Sequence, residues 1–292
     1  GERPLGVFLS GGIDSTVVAA MANELQGEPV STFTVSFSDS RFDEAIYAEQ
    51  VAKHLGTLHH TITVHPDPHL VGETIPRIFD QPFADSSALP TYLLAKFASE
   101  HIVVALGGDG GDEAFTGYDR YLAVPRLQKW NSALTLAAPL AGATARIASK
   151  TGDRRLQRVA RSLRGYPNLE TRYRALMTLT QSSARQELWN HHVINTQMLH
   201  TPESEFAHMW NTSPVDSKVD HMVAVDLANY LPGDLLVKAD ISSMANSLEL
   251  RSPLLDAHVL EYSASVPWTA RVHHGTSKFL LKQIAYRYVP SA

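Results

Sequence analysis

The sequence predicts an α/β protein: a doubly wound parallel sheet followed by a mainly helical C-terminal part. Three observations carry this expectation. Short apolar runs alternate with helical segments over the first 120 residues, two of those runs end at glycine pairs, and strand-like runs give out after Tyr121. Such alternation is the pattern of a parallel sheet with helices on both faces, in which ligands sit beyond the carboxyl ends of the strands.

Leu5-Gly6-Val7-Phe8-Leu9 is a short apolar run that ends at a glycine pair, as suits a buried parallel strand. Thr16 to Leu25 reads as a helix, closed by Gly27 and Pro29. Val30 to Phe37 alternates and is β-branched, so it is expected as the second strand. Asp43 to Leu55 follows as a helix, with Asp43 as N-cap and Gly56 as the residue past its end. Leu58 to Val64 is the third strand, Ser87 to Ser99 a helix, and Ile102 to Leu106 a fully apolar fourth strand, again followed by glycines. A sheet of about five strands is expected. From Tyr121 to about residue 200, Ala, Leu, Arg and Gln dominate, which is helical composition. Arg154, Arg155, Arg158, Arg161, Arg164, Arg172 and Arg174 fall here, as a solvated helix face or as a partner or phosphate-binding surface. A soft boundary near residue 120 separates an α/β part, 1–120, from a mainly helical part, 121–292, of which 226–256 is expected to return to the site.

Composition narrows the function. The 292 residues are 44% apolar, enough for a sizeable core, and the formal charge of −5 offers no basic field to nucleic acid. There is no cysteine, which excludes a disulfide scaffold, a thiolate metal site and a cysteine nucleophile, and favours a reducing compartment. Gly1-Glu2-Arg3-Pro4 leads straight into a strand pattern rather than a signal peptide. The apolar stretch Leu134 to Ala148 is interrupted by Pro139 and Arg146 and is too short to span a bilayer. The expectation is a soluble cytoplasmic protein with no membrane or nucleic-acid partner. His54, His59, His60, His65 and His69 match no zinc-helix spacing and are expected in surface and packing roles.

Four segments carry candidate chemistry. Ser10-Gly11-Gly12-Ile13-Asp14-Ser15 joins a strand to a helix. Its glycines let the backbone approach a phosphate, and the helix start supplies unpaired N–H groups. Ser10 and Ser15 can add hydroxyls. Asp14 would repel a phosphate, so it makes sense with a cation between them, and Mg²⁺ prefers carboxylate plus phosphate oxygens. No Gly-Lys-Ser/Thr follows, so this is not a Walker A loop. Leu106-Gly107-Gly108-Asp109-Gly110-Gly111-Asp112-Glu113 is read as a second wall of a nucleotide site, its spacing not being that of an EF-hand. Asp112 would share the metal with Asp14, and Asp109 would lie near phosphates or substrate. In Asp80-Gln81-Pro82-Phe83-Ala84-Asp85-Ser86-Ser87, Ser86 or Ser87 either caps the next helix or contacts substrate. The fourth segment, Asp226 to Asp256, sets Lys238, Asp240, Glu249 and Arg251 among apolar residues. These read equally as a buried ion network or as a substrate-binding set.

The Ser10–Ser15 hexapeptide resembles the PP-loop of the ATP pyrophosphatases, which GMP, NAD and argininosuccinate synthetases and tRNA-thiolation enzymes share. The other segments narrow the choice. Gly108 to Glu113, Phe83 to Thr91, and Tyr230-Leu231-Pro232-Gly233-Asp234-Leu235-Leu236 through Arg251-Ser252-Pro253-Leu254-Leu255-Asp256 look like the synthetase domain of glutamine-hydrolysing asparagine synthetases. The resemblance covers nearly the whole chain. It implies a sheet of the adenine nucleotide alpha hydrolase type, ATP and Mg²⁺ as cofactors, and adenylation of aspartate with pyrophosphate release, followed by attack of ammonia. By match of motif, Ser10, Gly11, Gly12, Asp14 and Ser15 carry pyrophosphate and metal. Leu9 and Val35 match positions contacting adenosine, and Gly107, Gly108 and Asp109 a nucleotide and substrate segment. Asp112 matches the second metal carboxylate and Glu249 a substrate-side acid, with Lys238 beside them as a catalytic candidate.

β-Lactam synthetases, exosortase-associated amidotransferases and lasso-peptide cyclases share this domain. The competing expectations are therefore an amidotransferase acting on a cell-surface sugar acid or peptide, and a non-catalytic nucleotide-binding module. The family's glutaminase domain lies N-terminal and starts with a catalytic cysteine, so glutamine hydrolysis is not expected of this sequence. The family's catalytic lysine lies beyond a Leu-Leu-Pro-like stretch that Tyr288-Val289-Pro290 matches. The expectation is a fragment trimmed at both ends and inactive alone, supplied with ammonia by a missing domain, with a homodimer as the assembly the resemblance suggests. Lys278 matches a lysine upstream of the catalytic one and not its replacement.

Overall fold

The computed structural model describes residues 4–38, 43–65, 67–136, 166–178, 180, 185 and 201–290. They divide into two compact units: Gly1–Gly117 with Asn229–Ala292, and Tyr118–Ala228.

The first unit opens with β1 (Leu5–Phe8), α1 (Ile13–Gln26), β2 (Ser31–Phe37), α2 (Ala45–Leu55) and β3 (Leu58–Val64). A π-helical turn (Leu70–Thr74) runs into α3 (Ile75–Ile78), and α4 (Ala88–Ala98), β4 (Val104–Leu106) and α5 (Gly111–Ala114) follow. The second unit holds α6 (Asp119–Lys129), α7 (Asn131–Leu136), α8 (Leu169–Met177), α9 (Pro202–Thr212) and α10 (Lys218–Val225). A π-helical segment (Asp226–Leu235) then leads to α11 (Leu236–Met244), β5 (Glu249–Arg251), α12 (Ala257–Ser265), α13 (Trp268–Arg271) and α14 (Phe279–Ala285).

The five strands form one all-parallel sheet in the order β3-β2-β1-β4-β5. Strand pleating sends alternate residues of β1 to opposite faces. Val7 and Leu9 enter one core cluster with Val17, Val18, Ala48 and Leu281, while Phe8 packs against the other, with Phe33, Ala95, Ala98, Ile102 and Leu248. Helices therefore cover both faces, as the doubly wound expectation requires. Burying a residue such as Phe33 contributes about 1.5–3 kcal/mol. The left-handed residues Gly27 and Gly56, φ 73° and 71°, end α1 and α2 as expected.

Three local expectations need correction. Strand character does not end at Tyr121, because Glu249-Leu250-Arg251 pairs with Val104-Ala105-Leu106. This three-residue strand lacks a β-branched run, and its partner rather than its composition makes it a strand. Asp43 is not the helix N-cap. Its carboxylate accepts from Ala45 N–H at 3.1 Å and from Ser36 Oγ at 3.0 Å, tying the end of β2 to the start of α2. Arg172 is not on a solvated face: it is fully buried, donating to Gln128 Oε1 at 2.8 Å and Asn131 Oδ1 at 2.7 Å. Arg154, Arg155, Arg158, Arg161 and Arg164 lie outside the described residues. His60, as expected of a packing residue, stacks on Phe33 and His101.

The second unit is organised around Asp226. This buried carboxylate accepts from Arg120, Tyr121 and Tyr173, each at 2.6 Å on Oδ2, joining α6, α8 and the end of α10. Among the described residues no helix is long and apolar enough to cross a membrane.

Candidate active site

The sheet order decides where the two glycine-rich segments meet. β1 and β4 are neighbours, with Val7 opposite Leu106, so their carboxyl ends stop at the same level. The segment 10–15 and the segment 107–113 then leave the sheet side by side. The contact is close: a Cβ on Gly108 would lie 2.9 Å from the backbone nitrogen of Ser15, and one on Gly111 would lie 2.5 Å from Asp14 Cγ. Real contacts between carbon atoms need about 3.5–4.0 Å. Only glycine lets these loops touch.

The first loop is braced from within. Ser15 Oγ donates to the Gly12 carbonyl at 3.1 Å and accepts from Ser10 N–H at 3.2 Å. Ser15 is buried and serves as this brace, whereas Ser10 is exposed, its hydroxyl 3.1 Å from Ser15 Oγ and accepting from Gly12 N–H at 3.3 Å. Gly11 has a φ of 81°, and a Cβ there would meet the backbone of Tyr47 and Ala48 at 2.7 Å. Gly12 begins α1 with no side chain capping the first turn, so the helix start stays open toward an anion. Leu9 is 1% exposed and its N–H donates to the Phe33 carbonyl at 2.9 Å, so it can serve a nucleotide only through its main chain. Val35 is half-buried two residues further along β2, at the same edge of the sheet.

Asp14 and Asp112 converge on one cation. Lys278 Nζ stands 2.5 Å from Asp14 Oδ2 and 2.8 Å from Asp112 Oδ1, and its side chain is only 13% exposed. Burial pulls the Lys278 ammonium toward neutrality, but Asp14 and Asp112 outweigh it and hold the pKa above the ordinary lysine value. Burial pushes Asp14 upward, Lys278 opposes it, and the charges of Asp112 and Asp109 add to the rise.

The donor set suits Mg²⁺, which is held by one or two carboxylates together with substrate phosphates. Two carboxylates already share a cation, and Asp14 Oδ1 is buried with no hydrogen-bond partner among the described residues. That orphan oxygen faces Gly111, where a Cβ would fill the space 2.6 Å away. No cluster of three or more metal-ligating side chains occurs among the described residues. Two carboxylates are fewer than a cage built from protein alone would supply.

A second charged group lies beside it. Lys238 on α11 donates to Asp85 Oδ2 and to Ser87 Oγ, both at 2.9 Å. Ser87 does not cap α4 with its side chain; its N–H and hydroxyl both donate to Asp85 Oδ1 at 2.8 Å. These bonds and Lys238 hold Asp85 below the ordinary aspartate range despite the opposing effect of burial. Asp109 is pushed up by burial and pulled back by the charge of Lys238, so it links the two groups electrostatically. Asp234 is raised by burial and by Asp85. The segment from Asp80 to Ser86 also lines a cavity of about 800 Å³ with Val71, Phe79 and Leu89.

The expected ion network of the fourth segment is only partly buried. Lys238 is sequestered, but Asp240 is exposed, and Glu249 pairs with Arg251 at 2.8 Å on the open surface of β5. Glu249 lies opposite Val104, three residues before Gly107, rather than at the carboxyl end of the sheet. Lys278 and the Lys238–Asp85 pair are not marked by any local pattern. Lys238 was named from its charge among apolar residues, but its partner Asp85 and the bridging position of Lys278 come from contacts distant in sequence.

Comparison with known proteins agrees with this geometry. The family described as asparagine synthase matches residues 1–292. The chain is similar to the glutamine-hydrolysing asparagine synthetase 1 of Bacillus subtilis, 33% identical over 295 residues, covering 99% of this chain and 44% of that protein. It is 32% identical over 297 residues to a putative glutamine-hydrolysing asparagine synthetase of Mycobacterium bovis, covering 98% of this chain and 43% of the relative. Asparagine synthetase B of Escherichia coli is 31% identical over 146 residues, covering 44% of this chain and 26% of its own length. The chain thus spans less than half the length of these relatives. With the parallel sheet, the paired glycine loops and a match along its whole length, the chain belongs to the asparagine synthase family.

Proposed function

We propose that this chain performs the amide-forming half of asparagine synthesis. ATP and aspartate would give aspartyl-AMP and pyrophosphate, and ammonia would then attack the acyl carbon and expel AMP. One observation carries the reading: two glycine loops abut at the carboxyl ends of adjacent parallel strands, and Asp14 and Asp112 bracket one cation there. The open start of α1 and Ser10 would hold the phosphates, and the main chain at Leu9 and the Val35 edge would receive the adenosine. Gly107 and Gly108 would close the opposite wall. Asp14 and Asp112 would hold Mg²⁺, which supplies charge neutralisation for the departing pyrophosphate.

Asp109 and Lys238 form the substrate side in this reading. Lys238, anchored by Asp85 and Ser87, presents a positive charge that suits a carboxylate, and Asp109, which feels Lys238 and acts on Asp14, would stand between it and the phosphates. Positioning of the two reactants is the main contribution these residues make. Ammonia would come from the glutaminase part of a longer protein, the names of the relatives being those of glutamine-hydrolysing enzymes. Dependence on ATP favours a cytoplasmic setting, and the protein would act as a homodimer.

The test is pyrophosphate release by the full-length protein with ATP, Mg²⁺ and ammonia, with and without aspartate. Release that requires aspartate is expected. Release indifferent to aspartate overturns the substrate assignment. Calorimetry with Mg²⁺-ATP on Asp14→Ala and Asp112→Ala tests the site, and unchanged affinity overturns it.

A further inference from the structure

Lys278 adopts an unfavourable backbone conformation to make its two contacts. Its φ of 53° and ψ of 33° lie in the left-handed region, just before α14 begins. A residue with a long side chain sits there at an energetic cost, and such outliers gather at functional positions. From that position the ammonium reaches across 264 residues of sequence to Asp14, and on to Asp112. Gly117 clears the path, because a Cβ there would lie 2.0 Å from Asp112 Oδ1 and 2.1 Å from Lys278 Cε. The ammonium therefore fills the gap between the two carboxylates that a divalent ion would bridge. A small divalent ion needs its oxygen ligands at about 2.0–2.1 Å. The same oxygens cannot hold it and the ammonium together, since two cations that close repel strongly in a partly buried site.

We propose that Lys278 is a tethered place-holder for the metal. It neutralises Asp14 and Asp112 when no divalent ion is bound, and it leaves them when one binds. The inference rests on the reading of these two aspartates as the metal pair. A free divalent ion meets the charge of the ammonium beside both carboxylates, so it binds weakly alone. A nucleotide brings phosphate oxygens that hold the ion and can also receive the displaced ammonium, so metal and nucleotide enter together. Lys278 is thus a positioning residue for the metal.

The test is the affinity of the full-length protein for Mn²⁺ alone, read by electron paramagnetic resonance. Lys278→Met is expected to bind Mn²⁺ at least about tenfold tighter than the wild type, since no tethered charge opposes the ion. Lys278→Arg should keep the weak binding. An affinity in Lys278→Met equal to or below wild type, with Asp112→Asn still reducing it, overturns the inference alone. An affinity unaffected by Asp14→Asn and by Asp112→Asn overturns the metal assignment beneath it. A second measurement needs no variant: a crystal of the wild-type protein with Mn²⁺ and a non-hydrolysable ATP analogue. An ammonium moved off both carboxylates supports the place-holder, and one that still bridges them overturns it.

Discussion

Gly111→Ala is the sharpest perturbation of the loop contact. Gly111 is the first residue of α5, and its φ is not in the left-handed region. In a helix without neighbours, replacing glycine by alanine stabilises by about 0.5–1 kcal/mol. Here the new Cβ would lie 2.5 Å from Asp14 Cγ and 2.6 Å from Asp14 Oδ1, roughly 1 Å inside ordinary contact. The neighbours at fault include the branching carbon of a short side chain that Lys278 holds in place, so relief requires Asp14 to rotate or α5 to shift. Overpacking of this kind costs about 1–3 kcal/mol, which exceeds the helix gain. Urea denaturation should therefore show a net loss, while Gly72→Ala, with nothing within 4 Å and no positive φ, should be neutral or stabilising. Asp14→Ala in the Gly111→Ala background should recover most of the loss. The same displacement should reduce aspartate-dependent exchange of labelled pyrophosphate into ATP by about 100-fold, since shifts near 1 Å cost that much in alignment. Equal stability of Gly111→Ala and wild type, with exchange intact, would refute the close approach of the loops.

Other outcomes follow from the same contacts. Asp226→Ala leaves Arg120 and two tyrosine hydroxyls without their shared acceptor, so it should destabilise the protein by about 3–5 kcal/mol in chemical denaturation. Adding Arg120→Met should return part of that loss, and a double-mutant cycle with no coupling would count against the cluster. Lys238→Met removes the charge that opposes the rise of Asp109, so the acidic limb of the pyrophosphate-exchange profile should move to higher pH. An unmoved limb would separate Asp109 from Lys238. Asp85 is held below its ordinary 3.8, so its contribution to stability is present above that pH and is lost as pH falls through the lower folded value. Thermal melts of the wild type should show this acid-side loss, and Lys238→Met should flatten it.

Much of the site was legible because its loops are local. Asp14 and Asp112 were named from two separate glycine-rich segments, and in the structure both lie on the same ammonium. Ser10 and Ser15 look alike in sequence, yet one is exposed and the other braces the loop, a difference set by which way the chain turns at Gly11 and Gly12. The four charges of the fourth segment looked equivalent as well. Only Lys238 is sequestered, because α11 turns that residue toward α4 while Asp240 faces outward and β5 leaves Glu249 and Arg251 exposed.

The α/β class, the first four strands and both glycine loops are determined by the sequence itself. Strand and helix periods, helix-ending glycines and turn residues are all written within windows of about a dozen residues. Tertiary structure alone decided the order β3-β2-β1-β4-β5, the fifth strand, and the pairing of Lys238 with Asp85 and of Lys278 with Asp14, contacts that span 153 and 264 residues. Such contacts leave no periodic trace in the chain. They exist because a parallel sheet brings distant strand ends to one edge, where buried carboxylates must find a cation.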